Sequence, residues 1–248
     1  MVGEISYDAA AAAVRADLVA AHERAWHGLA GAGDWWTGAE RVAIAGEVRA
    51  AWGCALCRER KAALSPAAVA GAHEAMPALP AVAIDAIHRI TTDPGRLTRA
   101  WFDGLLAGGL TDAAYVELLG VVVTVIGVDG FCRGVGAPLH LLPPPRPGAP
   151  RRYRPAATRP EGAWVDTIPG DAARGAEADL YPRRPVPVPN VLRALSLVPD
   201  AVRTLADLGA AHYLTPAQMM DLTRGRAIDR AQMELVAGRV SARRECFY

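Results

Sequence analysis

Apolar positions recur every three or four residues along most of the chain, the repeat of a helix that buries one face. From Thr111 to Val135, the residues Tyr115, Leu118, Leu119, Val122, Val125 and Ile126 form one broad apolar stripe. Residues 8–30, 39–52 and 195–212 read the same way. Helix starts are signposted at Ser65-Pro66, Thr111-Asp112 and Thr215-Pro216, where a capping hydroxyl precedes proline or an acid. Asp93-Pro94 opens a further candidate carrying Leu97, Trp101, Leu105 and Leu106. No segment shows the strict alternation of a half-buried strand, so the pattern predicts an all-α protein.

The pattern breaks between residues 143 and 189. This stretch holds about a dozen of the nineteen prolines and the basic cluster Arg146, Arg151, Arg152, Arg154 and Arg159. Proline blocks helix and central strand alike, which predicts an extended connector. Trp164, Val165, Ile168 and Tyr181 place it over the protein surface, with its arginines solvated. Three parts are therefore expected: a helical repeat over 1–142, the Pro/Arg-rich connector over 143–189, and a second helical repeat over 190–248.

Composition narrows the function classes. A formal charge of +1 over 248 residues gives no electrostatic handle on nucleic acid or an anionic membrane. Met1-Val-Gly-Glu-Ile-Ser lacks the basic and apolar regions of a signal peptide. The apolar run from Leu118 to Val128 is too short to cross a bilayer. A cytoplasmic protein is expected, where a close cysteine pair reads as catalytic rather than structural.

The four cysteines are Cys54, Cys57, Cys132 and Cys246. Cys54-Ala55-Leu56-Cys57 is a C-x-x-C, a spacing that allows thiol–disulfide exchange at a helix start. Buried apolar thiols, or half a zinc site, are the alternatives. Cys132, beside Phe131 on the longest apolar stripe, reads as core. The six histidines (His22, His27, His73, His88, His140 and His212) show no metal-binding spacing, so neither a metal nor a cofactor is expected. His88, on a helix after Asp85, reads as a hydrogen-bonded structural histidine. Trp26, Trp35, Trp36 and Trp52, ahead of the first thiol pair, read as core or oligomer packing.

Self-comparison adds a repeat. Ala45, Gly46, Val48, Ala50 and Cys54 fall, at one constant offset, on Ala237, Gly238, Val240, Ala242 and Cys246. The second copy also carries Glu234 ahead of its cysteine, where the first has Val42. A carboxylate near a thiol pair is a candidate base.

The string from Glu234 to Cys246 resembles the Glu-x11-Cys-x2-Cys-x3-His pattern of the alkylhydroperoxidase D-like (carboxymuconolactone decarboxylase) superfamily. Three further phrases are similar to its peroxidase-related branch: Pro189-Asn190-Val191-Leu192-Arg193-Ala194-Leu195-Ser196-Leu197-Val198-Pro199, Leu110-Thr111-Asp112-Ala113-Ala114-Tyr115-Val116-Glu117, and Asp129-Gly130-Phe131-Cys132-Arg133. The resemblance implies an all-α homo-oligomer acting as an antioxidant peroxidase (an oxidoreductase) on a peroxide substrate, with a thiol reductant as its second partner. A thiolate attacks the peroxide, and the partner thiol closes a disulfide. Glu234 matches the family's proton-relay glutamate and Cys246 its first, resolving cysteine. The attacking residue and the relay histidine match positions 249 and 253. The chain ends at Tyr248, one residue short; a selenocysteine codon read as stop, an imposed boundary and natural termination are the alternatives. Peroxidase turnover is expected only once that segment is restored. The first copy keeps Cys54 and Cys57, has Lys61 in place of the histidine, and offers Glu47, two turns before Cys54, as a substitute base. A catalytically inactive helical assembly protein and a decarboxylase-like lyase remain as alternatives.

Overall fold

The computed structural model describes residues 5–74, 78–181, 188–223 and 225–243. It is all-α: ordered structure among these residues is helical apart from one isolated bridge, Arg159 to Thr167.

The chain opens with α1 (Ala16–Ala30), which buries Leu18, Ala21, His22, Ala25, Trp26 and Leu29 along one face. The helix starts two turns later than the expected start near residue 8. Residues 8–13 are alanine-rich but mostly exposed, and propensity without a face to bury does not hold a helix. A capping box then starts α2 (Gly38–Ala51). The Glu40 amide donates to Thr37 Oγ1 at 3.2 Å, and the Thr37 amide to Glu40 Oε2 at 2.8 Å. After a two-residue turn comes α3 (Ala55–Ala62), with Cys54 at its N-cap. Ser65-Pro66 opens only a single 3-10 turn, Pro66–Ala68.

The core helix next in the chain is α4 (Ala81–Thr92), where Ala83, Ile84, Ala86, Ile87, His88 and Ile90 are all buried. Asp93-Pro94 gives another 3-10 turn, and α5 (Arg99–Ala107) starts only where the Thr98 hydroxyl caps the Trp101 amide. The Thr111 cap starts α6 (Asp112–Gly134), as the sequence indicates. By length and composition α6 could cross a membrane, which the shorter run from Leu118 to Val128 does not suggest; 67% of its apolar window is buried inside the protein. Its two deepest acids point at neighbouring helices. Glu117 accepts from Arg41 at 2.6 Å, and Asp129 pairs with Arg49 at 2.7 Å. That is how a core helix satisfies internal charge.

Beyond the connector come the single turn α7 (Asn190–Arg193), then α8 (Pro199–His212), α9 (Pro216–Met219) and α10 (Arg230–Arg243). The helix α8 lies against α6 and α1, while α2, α4 and α6 pack on one another. A side chain at Gly120 would place its Cβ 2.8 Å from the Cβ of Ala201, so glycine sets the close approach of α6 to α8. The connector is extended, but Val165, Ile168, Leu180 and Tyr181 are buried in the main core. Its arginines are paired: Arg151 with Asp34 and Asp200, Arg154 with Asp112. In α10 only Met233 is buried, and Leu235, Val236 and Val240 face outward.

Candidate functional site

Three elements converge on the first thiol pair. Cys54 caps α3 and Cys57 lies in its first turn, so the C-x-x-C spacing turns both sulfurs to one side. The segment after α3 brings in His73, and the middle of α4 brings in His88. The ligand atoms of these four residues all lie within 4.8 Å of one another. His73 Nδ1 stands 3.5 Å from the Cys54 sulfur and 3.7 Å from that of Cys57, and His88 Nδ1 is 3.3 Å from the Cys57 sulfur.

Each imidazole is held from behind by a carboxylate. His88 Nε2 is 3.1 Å from Glu47 Oε2, and His73 Nε2 is 3.1 Å from Asp85 Oδ1. Asp85 also accepts from Arg60 at 2.8 Å and from the Trp101 indole at 3.0 Å. One turn of α4 separates Asp85 from His88, so this helix serves both imidazoles. With Nε2 given to a carboxylate, each Nδ1 faces the sulfurs, as an acceptor from a thiol in the neutral ring and as a donor to a thiolate in the imidazolium. Cys54, Cys57, Glu47 and His88 are buried.

The environment splits the two thiols. Burial pushes Cys54 up, but its hydrogen bond to His73, with the Cys57 amide and thiol, outweighs that and leaves it below the ordinary thiol range. Burial and the neighbouring Cys54 push Cys57 up. Burial pulls His73 down, and Asp85 and Cys54 overcome it to leave the imidazole more basic than usual. His88 goes the other way, because burial outweighs Glu47. For Asp85, hydrogen bonds from His73, Trp101 and Arg60 overcome burial and hold the carboxyl well below the usual range. The arrangement suits a thiolate–imidazolium couple at Cys54 and His73, with a protonated thiol and neutral imidazole at Cys57 and His88.

The other sequence candidates lie elsewhere. Glu234 is exposed on α10, bonded to the Tyr213 hydroxyl and, at 2.7 Å, to Arg230. Cys246 lies outside the described residues. Lys61, which the resemblance sets where a histidine is expected, turns away and donates to the Thr92 carbonyl at 3.1 Å. Glu47, by contrast, reaches the first pair through His88. Cys132 is fully buried in a cluster with Tyr7 and His22. Sequence reasoning missed His73 and Asp85 and read His88 as structural, because spacing along the chain does not join a loop residue to the middle of the next helix. The one local signal is Asp85-x-x-His88, a carboxylate and an imidazole one turn apart.

Comparisons of the chain with protein-family models, curated proteins and solved structures give no match, so the resemblance drawn above rests on its motif residues alone.

Proposed function

We propose that the chain is a dithiol redox enzyme of the peroxide-reducing type, working through Cys54 and Cys57. One observation carries the reading: a C-x-x-C pair meets two imidazoles at 3.3–3.7 Å, each backed by a carboxylate. His88 and Glu47 supply at this pair what Lys61 and Val42 lack. The same set supports a site in the first repeat that does not wait on a second one.

In this reading the Cys54 thiolate attacks the distal oxygen of a hydroperoxide. The O–O bond breaks, and the alkoxide leaves as alcohol with a proton from His73. Cys54 is then a sulfenic acid. Cys57, deprotonated through His88, attacks its sulfur and expels hydroxide, which takes a proton to give water. The net change is one peroxide and two thiols to one disulfide, one alcohol and one water, and an external thiol reductant restores the pair. Attack by the first cysteine reverses the order that the family resemblance implies; Cys54 has the helix N-terminus and the more basic imidazole beside it.

The test is hydroperoxide consumption by the 248-residue chain with a dithiol reductant. Cys54→Ser and Cys57→Ser should each abolish turnover, with two free thiols lost per peroxide consumed. Undiminished consumption in both variants would remove the reading.

A further inference from the structure

We infer that the reduced protein binds one zinc ion between Cys54, Cys57, His73 and His88. The inference uses the residues of the proposed redox site but does not depend on peroxide turnover there.

Three features carry it. The first is the spacing. A tetrahedron with Zn–S near 2.3 Å and Zn–N near 2.0–2.1 Å has sulfur-to-nitrogen edges of about 3.5 Å. The measured separations are 3.5, 3.7 and 3.3 Å, from two histidines contributed by different segments. The second is the orientation of the rings. Both imidazoles face the sulfurs with Nδ1 and give Nε2 to a carboxylate, Glu47 for His88 and Asp85 for His73. This is the outer-shell arrangement that fixes the tautomer of a metal-ligating histidine and raises its basicity. The third is the donor set: two sulfurs and two nitrogens suit zinc rather than magnesium or calcium, and four protein ligands close the shell as in a structural site.

The role follows from where the ligands sit. His73 belongs to a segment, residues 63–74, in which no residue is buried. An ion joining His73 to α3 and α4 would tie that segment down. Binding displaces two protons shared among the thiols and imidazoles, and the metal-bound and disulfide forms exclude each other because both need the same two sulfurs. Peroxide would convert one to the other: the two thiolates give up two electrons to form the disulfide, peroxide and two protons become alcohol and water, and the ion leaves.

The test is titration of the reduced, full-length chain with zinc, and with cobalt(II) as a spectroscopic probe, under anaerobic conditions. One ion per chain is expected, with a thiolate-to-cobalt charge-transfer band and the intense visible absorption of a tetrahedral centre. Cys57→Ser and His73→Gln should each remove that signature. Asp85→Asn, which keeps all four ligands, should weaken affinity roughly 10- to 100-fold. Wild-type circular dichroism in Asp85→Asn would separate that loss from misfolding. Zero stoichiometry, a cobalt spectrum without the thiolate band, or unchanged affinity in both ligand variants would overturn the inference. Peroxide consumption by chelator-treated protein is scored separately, so either reading can fail while the other stands.

Discussion

Replacing Arg41 with methionine probes how the core tolerates charge. The Glu117 side chain is only 2% exposed; Oε1 accepts from Arg41 at 2.6 Å and Oε2 from the Trp35 amide at 2.6 Å. Gly33 leaves room for this carboxylate, since a Cβ there would come within 1.8 Å of Oε1. Burial pushes the carboxyl up and Arg41 opposes it. Arg41→Met keeps most of the side-chain volume and removes the opposing charge. Breaking a buried pair by removing one partner costs about 3–5 kcal/mol, because the remaining charge is uncompensated. At roughly 2–4 °C per kcal/mol for a chain of this size, melting should fall by about 6–20 °C at pH 7. The sign with pH follows. A carboxyl whose pKa is raised by folding takes up its proton in the native state first, so the variant's deficit should shrink as pH falls from 7 to 5. Urea unfolding at both pH values is the assay. Arg41→Met with Glu117→Gln should recover much of the loss, since the stranded charge is then gone. A deficit under about 1 kcal/mol at pH 7, or one that grows on acidification, would refute the argument.

Three further outcomes are expected. In Cys57→Ser, one equivalent of hydroperoxide should leave a sulfenic acid on Cys54 that a dione probe traps, whereas Cys54→Ser should give no adduct; mass spectrometry of the peptide decides. His22 is fully buried, and burial with His212 alongside lowers its pKa to about 4, so the unfolded chain binds the proton first as pH drops below the ordinary histidine value. Stability should fall by about 2 kcal/mol between pH 7 and pH 5, and His22→Gln should flatten that slope in urea titrations. Gly120→Val should cost about 1–3 kcal/mol by forcing α8 off α6, read as a lower urea midpoint, while Gly104→Ala, with open space at its Cβ, should not.

Periodicity located α6 and most of α1, α2 and α8, because these helices bury a continuous face and the apolar residues mark it. It failed where local signals lacked a surface to pack on. The alanines of residues 9–13 have helix propensity but no buried face, and Asp93-Pro94 opened a single turn before Thr98 took over as the cap. At the site, the C-x-x-C and Glu47 were legible because they sit on neighbouring turns of one stretch. The histidines were not. His73 enters from irregular chain and His88 across the interior from α4, and such pairings are set by tertiary packing rather than by spacing. Glu234, which the motif singled out, is held on the surface by Tyr213 and Arg230.

The two halves of the thiol site differ in what anchors them. His88 and Glu47 sit on α4 and α2, within the packed centre, and should exchange their amides only when the whole molecule opens. His73 is held by its own bonds to Asp85 and the thiols and by Val69 packing on the thiol cluster, while no residue of its segment is fully buried, so it is the half that a local opening would release. Such an opening would strip Cys54 of its imidazole while leaving Cys57 and His88 in place. The reactivity of the first thiol becomes a property of one short segment staying docked, and hydrogen exchange over residues 63–74 would report how often that segment comes away.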